Sequence, residues 1–157
     1  MTLVATLIKL VLISVAPIAE LRGSIPYGIL IAQLPWPIVF AVSVIANFLV
    51  APLVYLFLDK MVHLFLVFGW FERFYTMYIT KAQRRAEPYL KKYGAYGLIL
   101  FIGVPLPGSG VWTGSVVAYI LGMKKKTLFL SAFAGSLLAG TIVTLVVVSG
   151  KGLFGLL

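Results

Sequence analysis

Two ionisable side chains of opposite sign, Glu20 and Arg22, stand two residues apart in APIAELRGSIPYG, residues 16–28, inside an otherwise apolar N-terminal third. Burial disfavours the charged form of a carboxylate, so a desolvated Glu20 tends to take up a proton. Arg22 stays charged, and its planar fork fits the oxygen pair of a carboxylate or phosphate. The pair thus has the chemistry of a proton-coupling acid beside an anion clamp. It also has the chemistry of an internal ion pair that fastens a loop. A charge at the bilayer centre costs about 2.5–3.5 kcal/mol on insertion scales, and breaking a pair strands one. The same stretch holds Pro17, Gly23 and Pro26, poor residues for a helix interior and therefore candidate structural breaks.

A second stretch, PLPGSG, repeats the theme without charge. Pro105, Pro107, Gly108 and Gly110 shape the backbone, while Ser109 and Thr113 offer hydroxyls. It lacks the Lys of a phosphate-binding loop. A helix interrupted in this way has free carbonyls where the chain enters the break and free N–H groups where it leaves. Ser24 ahead of Pro26, and Ser109 ahead of Val111, read as helix-start signals. Two helix N-termini around one polar pocket would suit an anionic group. The candidate substrate and proton-coupling residues are Glu20, Arg22, Ser24, Asn47, Ser109 and Thr113, with Asn47 lining the pocket or bridging helices. Lys9 reads as a snorkelling or paired side chain, His63 as an interfacial bystander, and Asp59 and Lys60 as the anchor at the end of a span. No nucleophile with its base, no metal set and no cofactor motif stands out, so neither an enzyme nor a cofactor or metal site is expected.

The elements that must position these residues follow from composition. Of 157 residues, 62% are hydrophobic and 11% charged, whereas soluble domains average about 25% charged. The sequence predicts an all-α integral membrane protein forming one membrane domain over 1–157. The apolar arms around the first break are too short for a crossing of about 20 residues. Residues 1–34 are therefore expected to form a re-entrant hairpin, its irregular backbone covered by protein at membrane depth. A transmembrane helix follows at 38–58, kinked at Pro52, then an amphipathic basic linker at 59–93. Residues 94–122 repeat the hairpin and 127–149 the transmembrane helix. Lys9 in the middle of the first apolar run argues against a cleaved signal peptide.

A shift of 88 positions aligns Pro17 with Pro105, Ser43 with Ser131, Ala46 with Ala134 and Ala51 with Ala139, the mark of an internal repeat. Five positive charges in Lys81, Arg84, Arg85, Lys91 and Lys92, and three more at Lys124–Lys126, read as cytoplasmic loop charges, not as a nucleic-acid surface. Linker aromatics such as Trp70, Phe74 and Tyr78 suit an interfacial helix. That orientation makes the two repeats inverted, with one hairpin dipping from each face, an arrangement found in transporters. Ser43, Asn47, Ala51 and Ser131, Gly135, Ala139 recur every four residues, giving each long helix a small or polar stripe for close packing within the chain or in a homodimer.

PIAELRGSIPYGI, followed by a span, a basic linker and VPLPGSGVWTGSVVAYILGM, resembles the small multidrug export proteins over nearly the whole chain. These are distant relatives of the DedA membrane proteins and of the VTT lipid scramblases. The resemblance implies two opposed re-entrant hairpins, each followed by a transmembrane helix. It also implies movement of lipids or lipophilic compounds, with the acidic role falling on Glu20. The DedA branch flanks a Pro-Gly of its second hairpin with arginines; here Pro107-Gly108 stands without one, which argues against a shared undecaprenyl-phosphate substrate. The expected function is a small multi-pass transporter of the cytoplasmic (inner) membrane that moves a lipid or amphiphile with protons through Glu20. An anionic, polyprenyl-phosphate-like lipid is slightly favoured. A cationic multidrug exporter and a non-transporting membrane scaffold are the alternatives. The expected partners are membrane lipids, the lipophilic substrate and a second copy of the chain.

Overall fold

The computed structural model describes residues 3–65, 93–105 and 108–154, and the secondary structure among them is helical throughout. Six α-helices follow in chain order: α1 (Leu3–Val15), α2 (Glu20–Pro26), α3 (Trp36–Phe65), α4 (Tyr93–Gly103), α5 (Val111–Ile120) and α6 (Lys125–Phe154). Most of the basic linker expected at 59–93 lies outside the described residues, as do Leu106 and Pro107. The part that is described belongs to α3, which runs on to Phe65 and so extends past the expected end at Leu58. It also continues through Pro52.

Local chemistry sets the first break, which is narrower than the expected 17–26. Pro17 has no N–H to continue the ladder of α1, and its ring clashes with the preceding turn. The helix therefore ends at Val15, with the Ala16 N–H shared between the carbonyls of Leu12 and Ile13. Helix resumes at Glu20, not after Ser24, so the expectations of a break at Gly23 and Pro26 and of a helix start at Ser24 are corrected. Gly23 lies inside α2, where a Cβ would sit 2.9 Å from Ala19 Cβ; its small size lets the chain fold tightly against itself. Pro26 is accommodated at the end of α2, and the chain widens after it into a π-helical turn over Tyr27–Ile31, with Ala32 N–H donating to the Tyr27 carbonyl at 2.9 Å. At the second break Val104, Pro105 and Gly108–Gly110 are non-helical, and Gly108 and Gly110 take positive φ values of 82° and 127° that favour glycine.

Helices α3 and α6 form the frame and run antiparallel. Gly140 approaches Phe40 and Val44, Phe48 meets Phe133 with ring centroids 5.4 Å apart, and Tyr55 meets Phe129 at 6.0 Å. One apolar cluster joins α1, α2 and the π turn to the N-terminal half of α3 and the C-terminal half of α6, through Leu10, Ile25, Val39 and Val143. The other joins α4 and α5 to the opposite halves, through Ile102, Val111, Val54 and Leu128. The two broken pairs thus sit at opposite ends of the frame, with their breaks towards its middle.

The polarity of the frame is the reverse of a soluble core. Along α3, Ser43, Asn47 and Ala51 are buried while Ile45, Leu49, Leu53 and Leu56 are exposed. Water would penalise so large an apolar surface; lipid solvates it. Trp36–Met61 and Lys125–Gly150, 26 residues each, are long and apolar enough to cross a membrane. The stripes Ser43–Asn47–Ala51 and Ser131–Gly135–Ala139 are buried within the single chain, the first of the two uses expected of them. A Cβ at Gly135 would meet Ile102 Cβ at 2.7 Å, so this small residue serves the approach of α4 to α6.

Candidate functional site

The site is the junction where the two breaks meet. Glu20 opens α2 in the left-handed region, φ 43°, a conformation costing roughly 1–2 kcal/mol for a non-glycine residue. Its side chain is 4% exposed, and both carboxylate oxygens reach across the fold. Oε2 accepts from the Val111 N–H and Oε1 from the Trp112 N–H, each at 3.3 Å. These are the first two N–H groups of α5, which has no partner for them inside the helix. A carboxylate at a helix N-terminus is also favoured by the dipole, by about 0.3–1 kcal/mol when exposed and up to about 2 when partly buried.

Arg22, half-buried two residues along, donates from Nη2 to the Ser109 carbonyl at 2.8 Å. The exchange is reciprocal: the Trp112 indole N–H donates at 2.8 Å to the carbonyl of Val15, the last residue of α1. Free carbonyls of one broken helix and free N–H groups of the other are thus satisfied by the opposite pair. Gly110 makes this approach feasible, because a Cβ there would fall on the Glu20 carboxylate.

Of the residues singled out by sequence, Glu20, Arg22 and Ser109 are brought together. Ser109 contributes its carbonyl, while its hydroxyl turns back to the Val104 carbonyl at 2.8 Å. Gly110 takes the N-cap position of α5 without a side-chain bond of its own, so the helix-start role expected of Ser109 passes to Gly110 in position and to Glu20 in chemistry. Ser24 is fully buried one turn beyond Glu20, Asn47 is buried in the middle of α3, and Thr113 is exposed on α5. Lys9 is exposed on α1. Val15 and Trp112 were not anticipated. The signal for Trp112 was present, since a tryptophan beside a helix start needs a partner for its N–H once buried.

A set of buried oxygens completes the site region. Ser24, Ser43, Ser115, Ser136 and Thr144 hydroxyls and Asn47 Oδ1 have no hydrogen-bond partner among the described residues. Ser14 and Thr141, in contrast, donate to the carbonyls four residues back at 2.9 and 2.8 Å. An unmet buried polar group costs about 1–3 kcal/mol, so several together favour a partner from outside the protein chain.

A family model described as "Putative small multi-drug export protein" matches residues 20–142, from Glu20 through the second break into α6. The chain belongs to this family. No curated protein and no solved structure matches it significantly. The family's description and the two long apolar helices agree on a membrane protein associated with multidrug export.

Proposed function

We propose that this chain is a small membrane exporter of amphiphilic compounds whose two helix breaks meet in a junction opened by protonation or displacement of Glu20. The two broken pairs act as re-entrant hairpins of inverted repeats, entering from opposite faces of the cytoplasmic membrane. The antiparallel frame and the placement of each pair at its own end of that frame support this reading. Lys124–Lys126 at the start of α6 set the orientation by resisting translocation.

The observation that carries the proposal is the buried Glu20 carboxylate on the N–H groups of Val111 and Trp112. Those N–H groups, with Arg22 alongside, form a cradle for an oxyanion, and Glu20 is its internal occupant. Protonation turns one oxygen into a donor and removes the charge that holds the helix end. An anionic headgroup, carboxylate or phosphate, offers the same oxygen geometry and competes for the same groups. An anionic amphiphile is therefore the favoured substrate, with protons moving through Glu20. The family's description favours a second reading, in which a cationic drug pairs with the released carboxylate.

Proteoliposomes of phosphatidylethanolamine and phosphatidylglycerol test both. NBD-labelled phosphatidylglycerol serves as the anionic probe and ethidium as the cationic one, each with and without a pH gradient. Acceleration of either probe by the gradient, lost in Glu20→Gln, supports the proposal and selects the substrate class. No protein-dependent flux of either probe supports a non-transporting scaffold.

A further inference from the structure

We propose that the centre of the fold holds a chain of ordered waters, cradled by Asn47, Ser24, Ser43 and Ser136, that supplies Glu20 with its route for protons. The inference deepens the proton-linked reading of Glu20 and rests on it for the role of the waters, though not for their presence.

Register places these residues at neighbouring levels of the fold. A Cβ at Gly28 would lie 2.7 Å from Val39 Cγ2, and the chain runs towards α3 through α2 and then turns back, so the two helices are antiparallel. Counting back along helices that rise about 1.5 Å per residue, Ser24 falls level with Ser43 and Glu20 with Asn47. On α6, Ser136 lies between Phe133, which meets Phe48, and Gly140, which meets Val44. Ser136 is therefore also level with Asn47. Ser115 extends the set on the other side of the junction, one turn along α5 from Val111.

Each of these residues is at least 99% buried and has an oxygen without a partner among the described residues. The serines do not turn back on their own helices as Ser14 does. Asn47 Oδ1 accepts only, so no backbone carbonyl can satisfy it and a donor must come from elsewhere. Water is that donor: buried waters characteristically make about three hydrogen bonds to otherwise unmet polar groups. An alternation of hydroxyls and waters ending at a carboxylate is a route along which protons can pass. Arg22 is the charged neighbour of Glu20 on its own helix. On the elements packed around it, Lys9 of α1 is exposed, and Asp59, Lys60 and Lys124–Lys126 stand at the ends of the long helices.

Hydroxyl-radical footprinting of the full chain in lipid nanodiscs reads trapped water directly, because radicals generated from it oxidise the side chains beside it. Val44 and Leu21, both 2% exposed, are expected to be oxidised several-fold faster than Leu128, which is fully buried in the other apolar cluster. Asn47→Leu should remove that difference at Val44, and Asn47→Ser should keep it. In proteoliposomes, Asn47→Leu should slow gradient-driven flux several-fold, and Asn47→Ser should restore it. Val44 and Leu21 as protected as Leu128 would overturn the water chain. A chain that fails to transport but shows oxidation at Val44 and Leu21 would retain the waters and reject the exporter reading.

Discussion

At the scale of the residue, Glu20 gathers three unusual properties: a left-handed backbone, near-complete burial and bonds to a helix end 91 and 92 residues away. Strain persists where surrounding contacts over-determine it, and such sites are enriched in function. Glu20→Gln keeps shape and one acceptor but loses the charge, so it should lower unfolding stability in detergent by about 1 kcal/mol. Glu20→Ala leaves both α5 N–H groups without their acceptor and should cost about 2–3 kcal/mol. Equal stability of the two variants in thermal or denaturant unfolding would contradict the capping role. Gly110→Ala places a methyl on the carboxylate and should destabilise more than Gly108→Ala, which carries only the backbone strain of about 1 kcal/mol because nothing lies within 4 Å of its Cβ. The sequence identified Glu20 and Arg22 as the chemical pair, since opposite charges in an apolar third have few other uses. It did not reveal that both reach across to the second break, because that depends on tertiary distance and on Gly110 being small.

At the scale of the element, proline and glycine do different work from what their propensities suggest. Pro17 ends a helix, as its missing N–H dictates. Pro26 does not, because the chain absorbs it by widening into a π turn. Gly23 reads as a breaker but is a packing residue, and Gly28 is another, both set where helices come too close for a side chain. Distinguishing the two uses requires knowing what lies opposite, which local pattern does not contain. The second break was legible because Pro105, Gly108 and Gly110 fall together and two of them require positive φ. Two variants test these assignments. Trp112→Phe removes the donor to the Val15 carbonyl while keeping an aromatic ring, and should cost about 1 kcal/mol. Gly140→Val pushes into Val44, where a Cβ already lies 2.7 Å from Cγ2, and should cost about 1–3 kcal/mol by overpacking. Both read out as a shift in the denaturant midpoint; no shift in the latter would mean that α3 and α6 do not meet there.

At the scale of the whole molecule, polarity and symmetry point the same way. The long helices turn apolar side chains outward and small or polar ones inward, as a lipid-solvated fold requires. The two long apolar helices were readable from the hydrophobic runs of the sequence, but the cross-satisfaction of the two breaks was not. The absence of cysteine makes orientation directly measurable. Trp36→Cys at the start of α3 and Lys126→Cys at the start of α6 should react with an impermeant maleimide from opposite sides of the membrane. Labelling from the same side would contradict inversion of the repeats.

Proton movement on substrate addition tests the central claim most directly. Vesicles containing a lumenal pH dye and the full chain are given NBD-labelled phosphatidylglycerol or ethidium in the absence of an imposed gradient. The account predicts that wild-type vesicles change lumenal pH with one of the probes and that Glu20→Gln vesicles do not. A Glu20→Gln protein that moves protons with the probe at the wild-type rate would contradict it.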